Sequence, residues 1–561
     1  LTGCSYSSGT TTPQQVADAQ QVLHDGLISS VTTSAGKNDL TTYDPAFAQD
    51  RASLYVASLV FPGLLTLDSQ LTPQNWAIEN VDISADGLTY TFHLRSGLRF
   101  TNGDPIDANT FAYTFNRILS PCVNSPVAYY LFPIKNAAAF NSELCADPAQ
   151  GLVTGAITTL IGSGQPLDPV DAQTLKITLA QPAAYFLTSL TYPALAAEPV
   201  SLVKAYGSAW TNHLLDKGGL GGSLFKFSAI DHAGHITLAR NTAFWGARPR
   251  LREIDFTIYN SATSEYQAYL AGKTAIGYPP ADQYGAVKSA TGFHETLAQQ
   301  LTYIGVNWNV APFNDLGFRQ AFALAINKQS IANQTLQGSA QATNHIVLQG
   351  LAAYNNALKA PDGSQGLTGN TSAATNLAKA YANSTCGGSL SSCAAIVIKA
   401  PSGSVSALAI ANAVAQMWLK VAPGYPISVR VVDADTLLQQ EGQQSVQCYV
   451  GYWSAEYPDP QDWLSLHFGV DEPSLYNADD VSIADANTLM SKADAEADPT
   501  QRAVDYQAAE QLLVTQVAWI PLAQGKFFWR TRPQTQGFAL NAMGLPSIYD
   551  VIPNVFIATN K

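Results

Sequence analysis

The sequence predicts an α/β protein built from two or three lobes. Its 561 residues are more than one hydrophobic core usually organises. Hydrophobic residues make up 47% of the chain and charged residues only 13%, a composition that excludes a disordered protein. In the second half, segments with strand and helix patterns alternate, which is typical of parallel β/α units.

The first half contains helix and strand patterns in a mixed order. Residues 52–60 have the apolar spacing of a helix, and Pro62 and Gly63 close it. A second helix is predicted after an N-cap at Asp107 or Asn109. Strands are predicted in "LTYTFHLRSGLRF", "TLKITLAQP", "HITLARN" and "EIDFTIY", and "SATSEYQAYLAGK" predicts a further helix.

The second half carries the alternation. Strands are predicted in "LTYIGVNWN", "ISVRVV" and "VQCYVGYW". Helices are predicted in "FNDLGFRQAFALAINKQSIANQTL", "SVSALAIANAVAQMWLKV" and "ADTLLQQ". Two acidic amphipathic helices follow near 481–496 and 500–517, and "AWIPLAQGKFFWR" predicts a late strand.

The charge balance argues against a nucleic-acid partner. The net charge is −13, the sequence pI is about 5.0, and no cluster of Lys and Arg offers a basic face. We interpret the acidity as a contribution to solubility. No run of roughly 18 apolar residues occurs, so the sequence predicts no membrane-spanning segment.

The first residues, "LTGC", look like the end of a bacterial lipoprotein signal, in which the cysteine is lipidated. The polar stretch "SYSSGTTTPQQ" follows, and residues 1–19 are interpreted as a signal remnant and a flexible tether. We therefore expect a lipid anchor at Cys4. The alternative is a chance cysteine near a ragged terminus.

Four other cysteines fit two local disulfides. Cys386 and Cys393 bracket the short loop "GGSLSS", and Cys122 and Cys145 bracket another irregular region. Such pairs are typical of an exported protein in an oxidising compartment. Cys448 lies in a buried-strand pattern and is predicted to be an inert core thiol.

No catalytic or metal-binding motif is present. The sequence lacks a phosphate-binding GxxxxGK[ST] loop, an HExxH helix, a GxSxG elbow and a CxxC pair. His232 and His235 lie between two strands, where a polar turn explains them. We expect no enzyme, metal or cofactor. One alternative stays open, a secreted hydrolase that uses Glu456 and Asp459, which share one loop.

The stretch "YVGYWSAEYPDPQDW", residues 449–463, places Glu456 among five aromatic residues. A carboxylate next to so much apolar surface costs free energy unless a partner compensates it. From spacing alone, Glu456 is either an amine-binding carboxylate or a loop acid paired with a nearby Arg or Lys. Trp453 and Tyr457 pack in the core or form the floor of a cleft.

The stretch "DGLTYTFHLRSGLRFTNGDPIDANTFAYTFNRIL" resembles the signature region of cluster C, family 5, solute-binding proteins, which are peptide-binding components of ABC importers. Five further stretches fit that family in order: "SPVAYYLFPIKNAAAF", "TLKITLAQPAAYFLTSLTYPALAAEPVSLVKAYGSAWT", "ITLARNTAFWGARPRLREIDFTIY", "YIGVNWNVAPFNDLGFRQAFALAINKQSI" and "WSAEYPDPQDWL". The resemblance covers residues 40–540.

The resemblance implies a two-lobed periplasmic-binding-protein type II fold with an extra domain in the first lobe. Lobe I would comprise residues 20–66, 188–300 and 522–561, the extra domain 67–187, and lobe II 301–521. A ligand would lie between the lobes, which close about a hinge.

The resemblance also implies ligand-binding residues. Trp453, Ala455, Glu456 and Tyr457 match a motif whose carboxylate pairs with the α-ammonium of a peptide, although this chain has Glu where Asp is usual. The added methylene moves the charge by about one carbon–carbon bond.

A second motif matches at Gly222, Ser223 and Leu224. It resembles a glycine-rich strand start that bonds the backbone of the peptide, and it departs from the family pattern at the last two positions. The alternative for this stretch is a plain turn.

The function implied is an extracytoplasmic, lipid-anchored, monomeric receptor. It would capture short peptides and deliver them to a membrane permease, either on the outer face of the cell membrane or in the periplasm. A different solute on the same fold stays an alternative: a nickel chelate, haem, an oligosaccharide or an opine.

Overall fold

Three β-sheets of four or more strands organise the part of the chain that the computed structural model describes, residues 13–33, 36–149, 151–469 and 477–559. Cys4 and most of the predicted tether lie outside these ranges, so the lipid anchor stays a prediction. The α/β fold class is confirmed, and the sheets belong to separate regions of the sequence.

The first sheet has four strands drawn from the beginning and the middle of the chain. Their spatial order is Val22–Ile28, Glu253–Tyr259, His235–Arg240 and Phe225–Ile230. The first pair is parallel and the other two are antiparallel. Burial alternates along Glu253–Tyr259, so one face of this strand packs on the core.

The second four-stranded sheet lies within the segment predicted as the extra domain. Its antiparallel strands are Ile78–Ile83, Thr89–Leu94, Thr174–Thr178 and Leu167–Asp171, in that spatial order. The helix Ala108–Leu119 begins at Asp107, whose side chain accepts from the Thr110 backbone in a capping box. This N-cap was one of the two predicted.

The third sheet has seven strands in the described residues. Six lie in the order Ile276–Gly277, Trp519–Thr531, Phe293–Val306, Cys448–Ser454, Ile396–Pro401 and Ile427–Val432, and Ala340–Ala342 pairs with Trp519–Thr531. The strand 396–401 was not predicted, but it pairs parallel with both of its neighbours, as the predicted β/α alternation requires. The predicted parallel pairing is wrong for 293–306, which runs antiparallel to both of its neighbours.

Helices cover the sheets and connect their strands. They span Arg51–Val60, Ala108–Leu119, Ala137–Asn141, Phe186–Ser189, Val200–Tyr206, Ala262–Leu270, Tyr284–Val287, Leu316–Ala325, Lys328–Ser330, Thr371–Thr385, Val405–Val421, Ala434–Gly442, Ser465–Phe468, Ala484–Ala495 and Pro499–Gln516. The two acidic helices near the end of the chain are confirmed at 484–495 and 499–516.

Buried side chains fall into two main bodies. One core joins the two four-stranded sheets and uses residues 23–276 and 529–555, together with Tyr457. Two further clusters use residues 301–523 and include buried residues of the seven-stranded sheet. We call the first body the first lobe and the second body the second lobe. The predicted lobe boundaries stay a prediction, and this separation of cores supports them.

Both predicted disulfides are present, Cys122–Cys145 and Cys386–Cys393, and Cys448 is a buried free thiol. Within the described ranges, no helix combines the length and apolar character that crossing a bilayer requires. In the same part of the chain, no group of His, Cys, Asp and Glu side chains is arranged to hold a metal ion.

Candidate functional site

A cavity of about 410 Å³ opens between the first lobe and one end of the seven-stranded sheet. This volume is within the range of roughly 300–1,000 Å³ typical of small-molecule sites. The first lobe and the C-terminal segment supply most of its wall. The strands of the sheet and the two residues after Ser454 supply residues 300, 452–456 and 527. The lining residues are Gln49, Arg51, Leu54, Ser58, Thr66, Leu67, Thr191, Tyr192, Pro193, Gln300, Tyr452, Trp453, Ser454, Ala455, Glu456, Phe527, Asn541, Met543, Leu545, Pro546, Ser547 and Ile548.

The strand Cys448–Ser454 carries the predicted aromatic segment to the cavity. It pairs antiparallel with Phe293–Val306, and this register places Ser454 opposite Gln300. One residue further on, the Ala455 backbone N–H donates to the Gln299 carbonyl at 2.8 Å. The sheet therefore fixes the backbone up to the residue that precedes Glu456.

Asp459 and Arg502 fix the loop beyond Glu456. Asp459 caps the helical turn Pro460–Asp462 by accepting from the Gln461 backbone at 2.9 Å. The Arg502 guanidinium donates two hydrogen bonds to the Asp459 carboxylate, at 2.7 and 2.9 Å. Asp459 is thus buried, paired and absent from the cavity wall, so the two acids of the hydrolase alternative do not both face the cavity.

Glu456 lies on the cavity wall, and one of its two carboxylate oxygens accepts a hydrogen bond. Its Oε1 accepts a hydrogen bond from the Tyr129 hydroxyl, and its Oε2 is buried without a hydrogen-bond partner among the described residues. Burial raises the pKa of Glu456 to about 7, and the hydroxyl groups of Tyr129 and Tyr130 lower it in part. Glu456 has no ion pair with a described Arg or Lys, which removes the predicted alternative of a local cation.

Asp462 is a second carboxylate at this site, and it was not identified in the sequence. It is fully buried and accepts from the Glu456 backbone N–H and from the Trp453 indole, both at 3.3 Å. Burial raises the pKa of Asp462, and the neighbouring Glu456 carboxylate raises it further. In the sequence, Asp462 was visible only as one of three acids in this loop, together with Glu456 and Asp459.

Aromatic side chains of both lobes surround the two acids. Tyr129 stacks on Tyr130 with ring centroids 4.4 Å apart, and Tyr130 stacks on Tyr192 at 4.6 Å. Tyr192 belongs to the cavity wall. Tyr457 is 4% exposed and packs edge-on against Tyr130, so of its two predicted roles the structure favours core packing. Trp453 lines the cavity, which agrees with the predicted alternative that it forms the floor of a cleft.

The glycine-rich stretch does not reach the cavity, which corrects the expectation that Gly222, Ser223 and Leu224 line the cleft. Ser223 and Leu224 are 0% exposed, and the backbone N–H groups of Gly222 and Ser223 donate to the Val60 carbonyl at 2.8 and 2.9 Å. A Cβ on Gly222 would lie 2.8 Å from the Phe100 ring. The small residue serves close packing inside the first lobe, and these N–H groups are already bonded.

The chain matches one family model and is similar to several known proteins. The model of the family described as "Bacterial extracellular solute-binding proteins, family 5 Middle" matches residues 72–473. The oligopeptide-binding protein OppA of Bacillus subtilis is 27% identical over 308 residues, which cover 54% of this chain and 53% of OppA. A probable deoxycholate-binding periplasmic protein of Escherichia coli, YgiS, is 28% identical over 307 residues, 53% of this chain and 54% of that protein. Both alignments span about half of the relative's length.

A solved structure shows the same fold. The structure of Haemophilus influenzae OppA in complex with RPPGFSPFR superposes with a TM-score of 0.72 at 18% sequence identity. The superposition covers 96% of this chain and 100% of that protein. At this identity the likeness concerns the fold alone. The predicted two-lobed fold is confirmed.

Proposed function

The chain belongs to the bacterial extracellular solute-binding proteins of family 5, and from this membership we propose that it captures short peptides in the cavity of about 410 Å³. One observation carries the proposal. Glu456 presents a buried carboxylate oxygen without a hydrogen-bond partner or a cation among the described residues, at the wall of that cavity. An α-ammonium group supplies both the missing charge and the missing donors.

The environment of Glu456 favours such a pair. A carboxylate that is already out of water loses little further hydration when a ligand arrives, and the pair forms in a medium where charges interact strongly. Burial and the Glu456 carboxylate both raise the pKa of Asp462, which favours the neutral acid over a second charge beside Glu456. One negative charge therefore faces one ammonium group, with Trp453 and Ala455 beside it as further ligand contacts.

The rest of the cavity suits a ligand whose side chains vary. Its wall combines apolar side chains, such as Leu54 and Phe527, with polar ones, such as Gln300 and Asn541. An extended peptide offers backbone N–H and C=O groups that do not depend on its sequence. Waters fill the volume that a small side chain leaves. The charge pair at Glu456 then fixes the amino terminus, and side-chain selectivity is loose.

Contacts with both lobes connect binding to closure. Two strands run between the lobes. Phe293–Val306 begins beside the first lobe and continues into the second-lobe sheet, and Trp519–Thr531 runs in the opposite direction and ends beside the first lobe. A ligand that touches both lobes stabilises the closed arrangement because only that arrangement supplies every contact. The closed form then delivers the peptide to an ABC permease in the membrane.

Attachment and oligomeric state complete the proposal. We propose that Cys4 carries a lipid and that a monomer works on the outer face of the cell membrane or in the periplasm. The proposed role is binding without covalent chemistry. Incubation with a bound peptide should leave that peptide intact, and release of a hydrolysis product would contradict this role.

Native mass spectrometry of the protein isolated from its own cells tests the peptide assignment. We expect a ladder of bound masses that fragment into peptides, because a loosely selective site retains many sequences. The match to a probable deoxycholate-binding protein makes a non-peptide solute the second candidate. A single bound mass that fragments as a sterol, sugar, haem or metal chelate would overturn the peptide assignment.

A further inference from the structure

Arg51 is the cationic residue of the cavity wall, just as Glu456 is its anionic residue, among the lining residues that the structure describes. It occupies the first position of the helix Arg51–Val60. Arg51, Leu54 and Ser58 all line the cavity, as the spacing i, i+3, i+7 on one helix face requires. The site therefore carries opposite charges on two walls that come from different parts of the chain.

No described side chain neutralises Arg51. Its guanidinium has no hydrogen bond or ion pair within the described residues and lies over the rings of Tyr278 and Phe527, 5.1 and 5.4 Å from their centroids. The positive charge of Arg51 lowers the pKa values of two acids, Asp25 and Glu265. Burial has the larger effect and raises these pKa values to about 7 and about 8. Neither acid is a fixed counter-ion at neutral pH.

The helix dipole does not favour Arg51 at this position. A cation in the first turn of a helix faces the positive end of the helix dipole, where acidic side chains are favoured. Both rings lie within cation–π distance of the guanidinium, and none of its N–H groups donates to a described residue. A planar fork of donors at a cavity wall matches the geometry of a carboxylate.

We propose that Arg51 binds a carboxylate of the ligand, so that the cavity selects a zwitterionic or acidic peptide. This inference rests on the proposed function and adds a second charged contact to it. The carboxylate belongs either to the C-terminus of the peptide or to an Asp or Glu side chain. Both sources offer the same two acceptor oxygens.

Three synthetic tripeptide libraries with free amino termini separate these sources. The first has neutral side chains and a free C-terminal carboxylate, the second has the same side chains and a C-terminal amide, and the third has the amide and one Glu. Native mass spectrometry measures their capture by the parent protein, Arg51→Gln, Arg51→Lys and Arg99→Gln. Arg99 is a matched control because it is exposed, absent from the cavity wall and bonded to the Gly103 carbonyl at 3.0 Å.

We expect the parent and Arg99→Gln to prefer the first or third library over the second by about tenfold or more, since a hydrogen-bonded charge pair contributes that much. Arg51→Gln should lose this preference and still capture the amide library, while Arg51→Lys should keep part of it. The library whose capture depends on Arg51 identifies the source of the carboxylate. Thermal unfolding of each variant shows that the fold is retained.

Three results overturn the inference. If the parent takes acids and amides equally, or if Arg51→Gln keeps the parent's preference, then Arg51 does not bind a carboxylate although peptide binding stands. If the parent captures none of the libraries, the proposed peptide function fails and the inference falls with it.

Discussion

The Tyr129 hydroxyl donates a hydrogen bond to the Glu456 carboxylate across 327 positions of the chain. Tyr129 lies in the helical turn Ala128–Leu131 and packs against the first-lobe core, whereas Glu456 follows a strand of the second-lobe sheet. A hydrogen bond to a carboxylate is stronger than one between neutral groups. The bond therefore orients the proposed ligand-binding acid and connects it to the opposite lobe.

Replacing Tyr129 by Phe removes this donor and keeps the ring. Because the bond lowers the pKa of Glu456, its loss should raise that pKa further and leave less carboxylate at pH 7. We expect affinity for peptides with a free amine to fall by about three- to tenfold, as for one lost hydrogen bond. Isothermal titration calorimetry at pH 7 measures this. Tyr113→Phe, on a first-lobe helix away from the cavity wall, is the control and should bind like the parent.

Replacing Glu456 by Gln tests the charge itself. The amide keeps the size of the side chain but has no negative charge, so peptides with a free amino terminus should bind at least about tenfold more weakly. N-acetylated peptides should bind the parent and the variant equally. The free energy of unfolding should change by no more than about 1 kcal/mol. Equal affinity of the parent for free and N-acetylated peptides would show that Glu456 does not pair with the amine.

Binding should weaken in acid. Burial raises the pKa of Glu456 to about 7, and an α-amino group titrates at about 7.7–8.0. Binding requires the carboxylate of Glu456 and the ammonium form of the ligand, so affinity is highest between these two values and is lost as the pH falls through 7. Between pH 7.5 and 5.5 we expect a loss of about tenfold or more, measured by calorimetry. Glu456→Gln should show no such loss over the same range, and a parent affinity independent of pH would contradict the assignment.

Local patterns were sufficient to predict several long elements of the fold, but not the strands Val22–Ile28 and Ile396–Pro401 or the helix Thr371–Thr385. The N-cap at Asp107, the late strand at 519–531 and the two acidic helices depend on neighbours within a few residues. The strand Phe293–Val306 begins eight residues before the predicted "LTYIGVNWN". Its polar first part, "FHETLAQQ", has no clear alternation, and the register shifts between Leu297 and Leu301. This part becomes a strand because it pairs with 519–531, and a short-range sequence pattern does not indicate such pairing.

The candidate site was predictable only where it is continuous in sequence. Residues 453–456 form one segment, so their common position on the cavity wall follows from a single strand end. Tyr129 and Arg51 reach the same site from distant parts of the first lobe, and no short-range pattern indicates such contacts. Gly222 illustrates the opposite error, because small residues suit close packing inside a core as well as close approach to a ligand.

Asp25 should make the stability of the first lobe depend on pH. It is 0% exposed on the strand Val22–Ile28, its Oδ1 accepts from the Gly26 backbone at 2.8 Å, and its Oδ2 has no hydrogen-bond partner among the described residues. Burial raises its pKa to about 7, against about 3.9 in an unfolded chain. The folded state therefore holds more protons between these values. The stabilising contribution is complete below pH 4 and is lost as the pH rises through 7.

Replacing Asp25 by Asn removes this titration and keeps an acceptor for the Gly26 N–H. Relative to the parent, the variant should gain at least about 1 kcal/mol in free energy of unfolding between pH 5 and pH 8, because only the parent must bury a charge at the higher pH. Urea unfolding at both pH values measures this difference. Asp171→Asn, at the end of the strand Leu167–Asp171 with an exposed side chain, serves as the control. A difference between parent and Asp25→Asn that stays constant from pH 5 to pH 8 would show that Asp25 does not take up a proton on folding.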